Sequence, residues 1–279
     1  RYGIPNYRFP RHLLDAEIAS ILSLGIEVHT GVTVGKDLWL EELQKQYDCL
    51  YIAIGAHQDK KTGIPGEDSK NVMSAVEMLK AIGDDVMPDF TAKKVVVIGG
   101  GNVAMDVTRS SIRLGAETVT CVYRRRIADM TALPDEVTGA MAEGAEIMSL
   151  VAPVRIEADE NGVAKALWVQ PQLIGEADKA GRPRPHDAAL EQVRLEADII
   201  VVAIGQGIEI SGFDAAGVPI KRGARWATWI MFSPGETASP APPPPSGPLP
   251  PVRWPRPIST NTWVITTRSP WMWIFPPPG

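Results

Sequence analysis

Residues 95–106 read VVVIGGGNVAMD, and this stretch decides the fold. Its four leading apolar residues, Val95 to Ile98, suit a short strand buried on both faces. Gly99, Gly101 and Ala104 then fall in G-x-G-x-x-A spacing. Residues 102–114 carry apolar positions at helical spacing and stop at Gly115, placed as the glycine just beyond a helix end. A second apolar strand, 119–123, finishes in Arg124, Arg125 and Arg126. Strand, glycine turn, helix and strand in this order open a dinucleotide-binding βαβ unit.

Each small residue in the turn has its own reason. At Gly99 a sharp bend off the strand leaves no room for a Cβ. Gly101 lets backbone approach a pyrophosphate, and Ala104 lets helix pack on strand. The helix then aims its free N–H groups and positive dipole end at the phosphates. An NAD site usually ends its second strand in an acid that bonds the ribose 2′-hydroxyl. Three arginines stand there instead, and guanidinium groups pair bidentately with phosphate, which suits the 2′-phosphate of NADP(H). The bland readings are a glycine turn in an unrelated α/β domain and a solvated basic loop. The flanking elements and the position of the cluster favour the nucleotide.

Composition narrows the rest. A net charge of −5 over 279 residues argues against nucleic-acid binding or a membrane surface. The two cysteines, Cys49 and Cys121, both fall in expected strands, where a free thiol is usually a small buried hydrophobe. Without a C-x-x-C pair the chain itself carries no recognisable iron–sulfur or zinc site. The opening RYGIPNYRFP lacks the layout of a signal peptide, and no run of 18 apolar residues occurs. A reducing, cytoplasmic setting without membrane insertion is expected.

Elsewhere the pattern is α/β. A helix is expected over 13–24, a strand over 26–29, and a second helix over 38–46 with Asp37 as N-cap. The apolar run Asp48-Cys-Leu-Tyr-Ile-Ala-Ile-Gly55 recurs as Asp198-Ile-Ile-Val-Val-Ala-Ile-Gly205. Two copies of D-x-x-x-x-A-I-G on either side of a dinucleotide fold suggest one domain inserted into another. Pro134 is well placed to start a helix, having no N–H to satisfy there. Strands are expected over 146–158 and 163–171, and an exposed hairpin connection over 175–190.

The opening RYGIPNYRFP, the paired A-I-G strands, GGGNVAMD and the block VYRRRIADMTALPDEV together resemble the NADPH-dependent glutamate synthase small-subunit family of flavin oxidoreductases. The resemblance runs from residue 1 to about Lys221, and TALPDEV departs from the usual wording after the arginines. It implies a flavoprotein of the type with two dinucleotide-binding domains. NADPH would give a hydride to FAD, and electrons would leave through iron–sulfur clusters in a partner or large catalytic subunit, or through a ferredoxin-like acceptor. Carried over by position, Gly99, Gly100, Gly101, Asn102, Val103 and Ala104 would line the pyrophosphate. Arg124 and Arg125, then Arg126, would meet the 2′-phosphate. Gly205 and Gln206 would form a turn beside the NADP site, and Gly55 the matching turn after the first A-I-G strand. Residues 1–10 would lie over the flavin domain. No acid–base pair is needed, so no catalytic residue is assigned; His29 and His57 are surface or packing residues.

The expected division follows: 1–90 a partial FAD-binding domain, 91–197 a Rossmann-like NADP domain inserted into it, 198–224 a return segment, and 225–279 a proline-rich tail. The family's first FAD-binding βαβ, its N-terminal cysteine set and a later G-D motif are not recognisable. From Arg225 onward 15 of the 25 prolines and six of the eight tryptophans occur, with Glu236 the sole acid. Reading GC-rich codons from the third base restores a G-G-D motif and an alanine-rich helix, so the tail is expected to be out of frame and disordered. A non-catalytic NADP-binding module or inactive fragment is the alternative. A dithiol enzyme of the thioredoxin reductase type is disfavoured for want of C-x-x-C.

Overall fold

The chain divides into two units, a larger one made of Arg1–Arg11 with Asp59–Gln206 and a smaller one made of His12–Gln58 with Gly207–Gly279. The computed structural model describes residues 2–47, 49–178 and 181–208, and the backbone of four short strands at 228–231, 239–240, 263–266 and 271–273.

In the smaller unit the order is α1 (Arg11–Leu22), β1 (Glu27–Thr30), α2 (Leu40–Gln46) and β2 (Cys49–Ile52). Leu43, Leu50 and Ile52 form its buried cluster, with Val32, Val34 and Tyr47 against them. The α2 start differs from expectation. Trp39 is the N-cap, its N–H donating to Glu42 Oε2 at 3.0 Å, while Asp37 accepts from Thr33 N at 2.8 Å and so caps the preceding turn. The short β3 (Gln58–Asp59) then leads into the larger unit.

Within the larger unit the chain runs β4 (Val72–Ser74), α3 (Ala75–Gly83), β5 (Lys94–Ile98), α4 (Asn102–Arg113), β6 (Thr118–Tyr123), α5 (Pro134–Ala142) and β7 (Glu146–Ser149). An antiparallel group follows: β8 (Val151–Ala158), β9 (Ala164–Ala177), β10 (Pro183–Asp187) and β11 (Val193–Glu196). Next come β12 (Ile199–Val202) and β13 (Gln206–Gly207). A parallel sheet in the order β4-β12-β5-β6-β7 is the frame. One of its faces packs Val95, Val97 and Cys121 against Met78, Met105, Val107 and Ala140 of the helices. The other packs Val96, Ile98, Val122 and Ile200 against Ile156, Leu167 and Val169 of the antiparallel sheet. Strands buried on both faces explain the unbroken apolar runs of β5 and β12.

Three boundaries differ from the sequence reading. First, Ile199–Val202 is a central strand of this sheet, hydrogen-bonded to both β4 and β5, rather than part of a returning FAD segment. Four apolar residues in a row need cover on both sides, and only a central position supplies it. Second, the expected strand over 146–158 is two strands, parted at Leu150, whose φ is 58°. That bend moves the chain from the parallel sheet to the antiparallel one. Third, residues 1–11 group with the larger unit, where Tyr7 and Arg8 bind α4 and α5.

Most of the tail lies outside the described residues, so the expectation of disorder there does too. Within them, β14 (Thr228–Met231) pairs antiparallel with β2 and with β15 (Ser239–Pro240), and β16 (Trp263–Thr266) pairs with β1 and β17 (Trp271–Trp273).

Candidate functional site

The turn from β5 into α4 is held by contacts its glycines make possible. Gly99 donates to the Val122 carbonyl at 3.1 Å, and the thiol of buried Cys121 donates to the Gly99 carbonyl at 3.3 Å. Burial pushes the Cys121 pKa up to about 12, which keeps that donor protonated. A Cβ on Gly99 would stand 2.4 Å from the Ala203 carbonyl oxygen, and one on Gly100 2.4 Å from the Tyr123 ring. Both positions are therefore closed to any larger residue by the protein's own packing.

Gly101 is different. Its φ of −105° suits any residue, and a Cβ there would meet only Thr131 Oγ1, at an ordinary 3.4 Å. The smallness of Gly101 leaves space that the chain itself does not fill. Past it α4 opens with no side-chain cap, so the first-turn N–H groups of Asn102, Val103 and Ala104 have no partner within the helix. Ala104 is fully buried and packs the helix down on the strand. Together these residues leave an uncapped helix start beside an unfilled position, a cradle open to an anion.

The segment after β6 folds back onto this turn. Tyr123 lays its ring over Gly100 and donates from its hydroxyl to the Asp129 carbonyl at 2.9 Å. Thr131 N and Ala132 N both donate to the Gly100 carbonyl, at 3.0 and 3.1 Å. Asn102 Oδ1 accepts from Leu133 N at 2.8 Å, so its side chain caps the start of α5. Asn102 thus ties two helix starts together, a role that its sequence position did not announce.

The three arginines meet three different fates. Arg125 is only 6% exposed, and its Nε donates to the Pro183 carbonyl at 2.7 Å. Arg126 is exposed but makes a two-point ion pair with Asp129, through Nε at 2.7 Å and Nη2 at 2.9 Å. That contact holds the Asp129 carboxyl below the usual range. Arg124 is exposed and makes no hydrogen bond or ion pair among the described residues. The structure thus leaves one guanidinium free at the strand end where the sequence offered three.

Gly205 and Gln206 follow Ala203, whose N–H donates to the Ile98 carbonyl at 2.8 Å and whose own carbonyl faces Gly99. The second A-I-G run therefore sits beside the glycine turn, with Gly205 at a φ of 121°. Gly55, at a φ of 65°, lies in the smaller unit. Asp106, Arg109 and Glu136, missed in the sequence, form a charged cluster behind the cradle with Tyr7 and Arg8 from the N-terminal segment. Separations of 98 and 128 residues from Arg8 leave no local signal for it.

Comparison with known proteins agrees with this architecture. The family described as pyridine nucleotide-disulphide oxidoreductase matches residues 11–228. The NADP(+)-dependent formate dehydrogenase subunit beta of Moorella thermoacetica is 40% identical over 223 residues, 79% of this chain and 31% of that one. The NADPH-Fe(3+) oxidoreductase subunit beta of Geobacter sulfurreducens is 38% identical over 82% of this chain and 34% of its own. The glutamate synthase [NADPH] small chain of Escherichia coli is 32% identical over 73% of this chain and 45% of its own. The chain thus spans about a third of the length of the first two relatives. Among solved structures, Mycobacterium tuberculosis FprA in complex with NADPH shares the fold, with a TM-score of 0.54 at 22% identity over 65% of this chain and 55% of that one. By sequence match and by fold, the chain belongs to the pyridine nucleotide-disulphide oxidoreductase family.

Proposed function

We propose that the chain is the NADPH-holding part of a flavin oxidoreductase subunit, and that its parent passes electrons from NADPH through FAD to an iron–sulfur or large catalytic partner, or to a ferredoxin-like acceptor. The observation that carries this reading is the open position at Gly101, between two glycines that packing alone explains and an uncapped helix start. A pyrophosphate fits that cradle, accepting from the first-turn N–H groups of α4. Arg124 is the first candidate for the 2′-phosphate, ahead of Arg125 and Arg126, because its donors are uncommitted. When bound, NADPH supplies a hydride and FAD accepts it; the chain's residues hold the nucleotide and set its orientation.

The FAD half of the reading stands on family membership. A cytoplasmic setting belongs to the same proposal; among the described residues no helix is long and apolar enough to cross a membrane. Titration of the purified chain with NADPH, followed by nucleotide fluorescence, tests the nucleotide site, and saturable binding is the expected result. Reduction of a dye by NADPH with added FAD then tests electron transfer. Failure to bind either NADPH or NADH would remove the proposal.

A further inference from the structure

The charged cluster behind the cradle assigns a task to the N-terminal segment. Arg8 reaches two helices at once. Its Nε donates to Asp106 on α4, while Nη1 and Nη2 pair with the two carboxylate oxygens of Glu136 in the first turn of α5. Tyr7 adds a 3.3 Å hydrogen bond to the same Asp106 oxygen, and its ring lies under the guanidinium groups of Arg109 and Arg113, at 4.9 and 4.2 Å. Arg109 and Arg113 also share Glu143, so each positive charge answers a carboxylate. Three arginines and three carboxylates balance only while Arg8 is present.

Asp106 stands one helical turn beyond Asn102, and side chains lean toward a helix's N-terminal end. Asp106 is 8% exposed, and burial raises its pKa, while Arg8 holds that of Glu136 down. Asp106, one turn into α4, and Glu136, in the first turn of α5, would oppose any phosphate arriving at the α4 N-terminus, since low local dielectric weakens screening. The helix end attracts anions through partial charges of about half a unit. One uncancelled carboxylate is therefore large enough to compete with it.

We propose that Arg8 is a positioning residue for the dinucleotide: by bridging Asp106 and Glu136 it cancels carboxylate charge behind the pyrophosphate cradle and so raises nucleotide affinity without touching the ligand. This rests on the reading of α4 as the pyrophosphate-binding helix. The assignment separates two determinants. Arg124 acts on the 2′-phosphate and so on NADPH alone, whereas Arg8 acts on the pyrophosphate that NADPH and NADH share.

The test uses the whole chain with NADPH and NADH as probes. Arg8→Gln is expected to raise both dissociation constants by about fivefold at low ionic strength, leaving their ratio unchanged. The loss should shrink at high salt, where the remaining charge is screened. Adding Asp106→Asn to Arg8→Gln restores the charge balance and should recover most of the affinity. A purely structural strap predicts the opposite, because the double variant removes a further contact. Unchanged affinity in Arg8→Gln would overturn the proposal, as would a loss that Asp106→Asn deepens. If the unaltered chain binds neither nucleotide, the reading of α4 falls, and this proposal with it.

Discussion

Arg124, Arg125 and Arg126 are adjacent and chemically identical, yet their surroundings give them different work. Arg124→Ala is expected to raise the NADPH dissociation constant by about 10- to 100-fold, the worth of hydrogen bonds to a charged group, and to leave that for NADH nearly unchanged. Equal losses for the two nucleotides would remove the 2′-phosphate assignment. Arg125→Ala should act instead through the fold. It strips the Pro183 carbonyl of its 2.7 Å donor and opens a gap at a buried position, costing about 1–3 kcal/mol of stability. The place of the arginines at a strand end was legible because the apolar run before them fixes where β6 stops. Which of the three is free was not, because the decisive partners lie 58 residues away at Pro183 and three away at Asp129.

At the scale of the element, the β5–α4 turn separates packing from binding. Gly100→Ala would drive a methyl group into the Tyr123 ring, 2.4 Å from the ideal Cβ, at a cost of about 1–3 kcal/mol. Gly99→Ala should be worse, since the obstacle is the Ala203 backbone carbonyl, which cannot rotate aside. Gly101→Ala should still fold, losing about 1 kcal/mol or less, because alanine is a poorer N-cap than glycine but a Cβ there meets nothing closer than 3.4 Å. It should nonetheless weaken NADPH about tenfold or more, by filling the space a phosphate would take. Thermal melts and nucleotide titrations on the three variants check this, and an unstable Gly101→Ala would show that the position serves packing. The sequence pattern revealed the turn and the helix because their spacing is local. It hid the return of residues 124–133 over the turn, since Thr131, Ala132 and Leu133 act through backbone N–H groups that every residue type shares.

On the scale of the whole molecule, the repeat D-x-x-x-x-A-I-G marked an insertion, since Asp59–Gln206 interrupts the smaller unit, but it set the far boundary early because a buried apolar strand looks the same in any parallel sheet. Its second copy proved central to the larger unit, and among the described residues both buried clusters of that unit draw on positions between Ile64 and Ala203. Removing residues 225–279 should therefore leave NADPH binding intact and the amides of Val95–Ile98 as slow to exchange as before, the core strand opening only with the unit. The smaller unit gives the opposing readout, because Thr228–Met231 pairs with Cys49–Ile52 from Met231↔Cys49 to Thr228↔Ile52. Loss of that neighbour strand exposes N–H groups along one edge of β2, so the amides over Leu50–Ile52 should exchange faster in the shortened chain. Unchanged exchange there would show that the tail adds no strand, the outcome an out-of-frame sequence would give. Faster exchange at Val95–Ile98 would instead mean that the tail supports the nucleotide unit, against the composition of its core.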